Sequence, residues 1–68
     1  MDAKRDWLAE IDGAEQMQPL QAVLADLHAA IDELEHSVYA EEASVREQLR
    51  TLELLADYCE QKLVRVLA

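Results

Sequence analysis

Val38-Tyr39-Ala40-Glu41-Glu42-Ala43-Ser44-Val45-Arg46-Glu47 is the stretch on which the architecture turns. On its N-terminal side, apolar residues fall at Leu20, Leu24, Leu27, Ile31, Leu34 and Val38, spaced alternately by four and three. On its C-terminal side the same spacing runs through Val45, Leu49, Leu52, Ala56, Cys59, Leu63 and Val66. Each run is the seam of a helix packed on another helix. Every seventh residue from Leu24 to Val66 is apolar, and neither Gly nor Pro interrupts the chain after Leu20. The companion positions do not continue in step. Extending the Leu20, Leu27, Leu34 series gives Glu41, Gln48, Leu55 and Lys62, three of them polar. The seam therefore shifts between Val38 and Val45.

Two architectures accommodate such a shift. One is a single helix of roughly 50 residues and 75 Å with a stutter near Glu42. The other is a break into a helical hairpin. Ser44-Val45-Arg46-Glu47 matches the capping-box pattern, with Ser44 as N-cap and Glu47 reaching back. Glu41 and Glu42 would then precede a helix N-terminus, where the macrodipole favours negative charge. The two arms come out at matching lengths, about 33 and 35 Å. The hairpin is the favoured expectation, and the absence of Gly or Pro at its turn is the main point against it.

Working outward, Pro19 suits the first turn of the first arm, where its missing N–H has no helical partner to lose. Trp7, Leu8 and Ile11 share one face of a short helix over about residues 3–12, which Gly13 would end as the C′ residue. Residues 14–18 read as a linker. The expected fold is all-α: a short N-terminal helix and linker over 1–18, then a hairpin over 19–68 with helices at about 19–40 and 44–67. A lone hairpin leaves much of each stripe uncovered. Two hairpins about a two-fold axis would close a four-helix bundle, with Trp7 and Ile11 capping one end.

Composition points the same way. A chain of 68 residues is one domain at most, and such chains bury only about 60% of their unfolded surface. One cysteine excludes an internal disulfide, which leaves association as the remedy for a small core. No apolar run has the length of a signal peptide or membrane span, so a cytoplasmic protein is expected, and the lone thiol fits a reducing compartment. The net charge is −9. From Asp6 to Val45 there are ten acids and no Lys or Arg; from Arg46 onward four bases balance four acids. That distribution repels nucleic acid and anionic lipid and favours a protein partner with a basic surface.

Candidate chemistry is sparse. Glu33 and His36 have the Glu-x-x-His spacing of di-iron bundles, but with Leu34 in the seam both point outward. His28 flanks the seam, with Asp32 four residues on as a partner. Cys59 lies in the seam and reads as a small buried apolar residue. With one glycine in the chain, no phosphate-cradling loop is available. No enzymatic role, metal or cofactor is expected. The candidate partner surface is the acidic face formed by Asp32, Glu33, Glu35, Glu41 and Glu42, with Tyr39 as an aromatic anchor at the tip. Arg46 stands four residues after Glu42 and would offset part of the charge.

Arg50-Thr51-Leu52-Glu53 and the apolar stripe after it resemble part of the pattern of the small helical co-chaperones of type III secretion systems, without the glycine common in their turn. The stretches Leu27 to Glu35 and Cys59 to Leu63 resemble, slightly, the small subunit of exonuclease VII, with His36-Ser37 where a Ser-Gly break would stand. Either resemblance implies a small regulatory or chaperone subunit of a larger complex. The residues themselves point first to a homodimeric, non-enzymatic adaptor or inhibitor that docks on a basic protein surface, which a DNA-binding protein would supply.

Overall fold

The computed structural model describes residues 5–67; the ends of the expected first and last segments, residues 1–4 and Ala68, lie outside them. Three helices and no strand occur among the described residues: α1 (Trp7–Gly13), α2 (Met17–Glu35) and α3 (Ala43–Leu67). α2 and α3 form the expected hairpin. The single 50-residue helix is excluded, because the chain leaves helical geometry between Glu35 and Ala43.

The turn replaces what glycine would supply with short hydrogen-bonded steps. The Ser37 hydroxyl accepts the N–H of Tyr39 at 3.1 Å, and the N–H of Ala40 reaches the carbonyl of Ser37 at 3.1 Å. The N–H of Glu42 bonds the carbonyl of Tyr39 at 2.9 Å. No described residue has positive φ, so the reversal never enters the region where glycine is required. A serine side chain that offers the backbone a local partner competes with helix continuation. α2 accordingly stops at Glu35, five residues before the expected Ala40. Val38, expected in the seam, is 89% exposed in the turn, and Tyr39 is also outside the helix.

The helix starts also move. α2 begins at Met17 after Gln16, so Pro19 is its third residue rather than its first. α3 begins at Ala43, and its first turn closes from the N–H of Arg46 onto the carbonyl of Glu42 at 2.9 Å. Ser44 therefore lies inside the helix, and the Ser44–Glu47 capping box does not form. At 19 and 25 residues the arms span about 28 and 37 Å, unequal where matching lengths were expected.

α1 is capped by Asp6, whose carboxylate accepts the N–H of Ala9 at 3.1 Å. Gly13 is its last helical residue, not a left-handed C′ residue; its φ is not positive. A methyl group added there meets nothing within 4 Å. Gly13→Ala is therefore expected to stabilise the fold by about 0.5–1 kcal/mol, by restricting the unfolded chain. Thermal unfolding would show a rise of several degrees; an unchanged or lower midpoint would contradict this.

The core consists of Ile11, Ala14, Leu20, Val23, Leu27, Ala56 and Cys59. Trp7, Leu24, Ile31, Leu52, Leu55, Tyr58 and Leu63 pack around it. Within the single chain Ile11 is fully buried, so α1 is a third helix packed on the two arms. Trp7 shares a groove with Leu55 and Ile11 lies beneath Lys62, so α1 runs in the direction of α3. Its arrival turns the buried sector of α2 towards it. Val23, absent from the expected seam, is buried, while Leu24, Ile31 and Leu34 are only half-buried. On α3, Val45, Leu49, Leu52 and Leu63 are half-buried, and Val66 runs out into solvent at 37% exposure.

Candidate docking surface

The hairpin turn gathers the expected partner-binding residues at one end of the molecule. Asp32, Glu33 and Glu35 occupy the last turn of α2, and Tyr39, Glu41 and Glu42 follow in the turn; all six are exposed. α2 carries no basic residue in its last turn. Its C-terminal carbonyls, the negative end of the macrodipole, thus lie beside three carboxylates, an arrangement that opposes helix formation.

The group that answers this charge is His36. Its Nδ1 lies 2.8 Å from the carbonyl of Asp32 and 3.3 Å from Asp32 Oδ1. The backbone bond first, and the Asp32 carboxylate second, raise the imidazole above its ordinary pKa of 6.5. His28, expected beside Asp32, instead faces Glu60 across the hairpin at 4.0 Å. Glu42 and Arg46 are not ion-paired, although their spacing allowed it.

A raised folded-state pKa has a definite sign. The contribution of His36 is fully present below its unfolded value near 6.5 and is lost as pH rises through the folded value. Proton NMR of the imidazole is expected to show a midpoint above 6.5 for His36, falling in Asp32→Asn. A midpoint at or below 6.5 in the parent would contradict the pairing.

The two ends of α1 are each held by charged or polar side chains. Arg5 bonds Glu10 at 2.6 and 2.8 Å and Asp26 at 2.9 Å, and its guanidinium stacks 4.0 Å from the Trp7 ring centre. Lys62 Nζ donates to the carbonyls of Ile11 and Asp12 at 2.8 and 2.9 Å. The Tyr58 hydroxyl donates to Asp12 Oδ1 at 2.5 Å, which raises the phenol's pKa. Lys62 and Tyr58 together hold the C-terminal end of α1, which has no basic residue of its own in its last turn. Lys62 was one of the polar residues that broke the seam pattern; its ammonium serves C-terminal carbonyls of another helix. Sequence spacing carried no signal for this, because the partners are about 50 residues apart.

Cys59 is fully buried, as the seam predicted, and its thiol donates to the carbonyl of Leu20 at 3.4 Å. Burial first, then Glu60, pushes its pKa up, away from the thiolate that reactivity requires. Glu33 and His36 are both exposed. Among the described residues no three His, Cys, Asp or Glu side chains are placed to hold a metal ion. Among the described residues no helix is long and apolar enough to cross a membrane.

What the fold and surface define is an all-helical hairpin with a docked third helix and an acidic tip. No protein-family model, curated protein or solved structure matches the chain.

Proposed function

We propose that this protein is a non-enzymatic adaptor or inhibitor whose acidic hairpin tip docks on a basic surface of a partner protein. The observation that carries this is the placement of Asp32, Glu33 and Glu35 at the end of α2, exposed and without Lys or Arg in that turn. Carboxylates there work against the helix they belong to. Residues that contradict local stability mark the places where a surface serves something else. Glu41, Glu42 and Tyr39 extend the same patch around the turn. A cationic protein groove, such as one that otherwise meets phosphate, has the matching chemistry.

Homodimerisation belongs to the same proposal. The chain is thin, at 39 × 27 × 15 Å, and seven residues make up its buried core among the described residues. Leu24, Ile31, Leu34 and Leu49 remain half-buried, which suits packing against a second hairpin. The same half-open stripe also serves the alternative, a small regulatory or chaperone subunit seated on a larger chain. Mass in solution separates the two: twice 7.7 kDa for the dimer, a weakly folded monomer for the subunit.

Docking is tested by capture from the native host with the parent and with Asp32→Lys/Glu33→Lys/Glu35→Lys as baits. A partner with a basic surface that the parent retains and the variant releases is the expected result. Equal retention would remove the electrostatic basis of the proposal.

A further inference from the structure

α1 covers one face of the hairpin and leaves the other open. Asp26 of α2 and Leu55, Tyr58 and Lys62 of α3 turn towards α1. On the far side of α3, Arg46, Arg50, Glu53, Asp57, Glu60 and Val64 form one line, spaced alternately by four and three. All six are exposed. Glu60 faces His28 across the hairpin. The line therefore borders the open face, which also carries half-buried Leu24, Ile31 and Leu49.

Charge is segregated along this line. The half nearer the tip has two arginines, and the other half has three acids. Neither arginine is in an ion pair among the described residues, and of the acids only Glu60 has a partner, His28 at 4.0 Å. At the acidic end Val64 is 65% exposed. At the basic end lies an open groove of about 760 Å³, where Ala40 and Leu49 are flanked by Arg46, Arg50, Glu47 and Glu53.

Two copies can lay their open faces together about a two-fold axis in two ways. With the tips at the same end, α3 of each copy lies on α2 of the other. That sets the arginines near Asp32 and Glu35, but it gathers the carboxylates of both tips. It also leaves Glu53, Asp57 and Glu60 against α2, which has no Lys or Arg. With the tips at opposite ends, α3 lies antiparallel on α3. The line then meets itself reversed, basic half on acidic half. The tips are parted by more than the roughly 8 Å over which charge acts in physiological salt.

We propose that the protein is an antiparallel dimer in which α3 packs on α3 of a second copy, with the two-fold axis near Glu53. Arg46 then pairs with Glu60 of the second copy and Arg50 with Asp57 of the second copy, each pair occurring twice. Leu49 meets the small Ala56 of the second copy, and Val64 reaches the groove at Ala40. Flanking charges of this kind set the orientation of packed helices. The two acidic tips stand at opposite ends, so one dimer bridges two partner molecules. This rests on the homodimer proposed above and adds its direction.

Sedimentation equilibrium of the full chain tests it, with circular dichroism as the check on folding. Arg46→Glu/Arg50→Glu and Asp57→Lys/Glu60→Lys are each expected to weaken dimerisation at least tenfold. An equimolar mixture of the two is expected to restore it, because every cross pair is again of opposite sign. Parent-like dimerisation by either variant, or a mixture that stays monomeric, overturns the arrangement. Dissociation of the arginine variant alone would place the tips at the same end. A monomeric parent would remove the homodimer itself, which is a different failure. A second measurement needs no charge reversal: Glu41→Cys carrying a nitroxide, with the buried Cys59 left in place. Labels about 35 Å apart are expected, from about 12 residues of rise on either side of the axis. A separation under about 20 Å overturns the antiparallel dimer.

Discussion

Ile11→Ala is expected to cost about 2–5 kcal/mol, the range for truncating a fully buried aliphatic side chain. Ile11 has no exposed surface and belongs to a helix of seven residues. A helix that short has no stability of its own in water, so α1 exists because it is docked. Its anchors are Ile11 and Trp7 against the arms, the Lys62 and Tyr58 contacts at one end, and the Arg5–Asp26 pair at the other. Domains of this size have total stabilities of only about 3–10 kcal/mol, so the loss takes a large share. Urea titration followed by circular dichroism would show the midpoint fall steeply. Leu8→Ala on the same helix, at a half-exposed position, is expected to stay within about 0.5 kcal/mol of the parent. Equal effects of the two would mean that α1 does not contribute to the cooperative unit.

The hairpin was legible because its signal is local and repeated. Seven-residue periodicity on both sides of one register shift identifies two arms without knowledge of what they touch. Trp7 and Ile11 were legible as a third apolar face for the same reason. The end of α2 was not, because Val38 continues the apolar pattern into a segment whose backbone is governed by the Ser37 hydroxyl. The signal lay in the carboxylates of the preceding turn and in serine's preference for local bonds. The burial of Val23 and the capping role of Lys62 were out of reach for a different reason. Both depend on where α1 comes to rest, and that placement follows from three-dimensional packing. The absence of glycine told against a turn only on the assumption that turns need positive φ, and this one does not.

The acidic tip gives the prediction with the largest functional effect, because stability and binding should move in opposite directions. Asp32→Lys/Glu33→Lys/Glu35→Lys converts the last turn of α2 from charge that opposes the macrodipole to charge that complements it. It sacrifices the Asp32–His36 pair, whose side chains are 73% and 76% exposed; such pairs contribute little in water. The variant's melting temperature is therefore expected to rise by about 2–6 °C. Its affinity for a basic partner is expected to fall on the order of 100-fold at low salt, mainly through slower association. The parent's affinity should weaken as salt is added, and that dependence should flatten in the variant. Scanning calorimetry and binding measured across a salt series check both halves. A variant that is both less stable and less able to bind would point to damage of the fold. Higher stability with lost binding is the signature of carboxylates kept at the tip for a partner rather than for the helix.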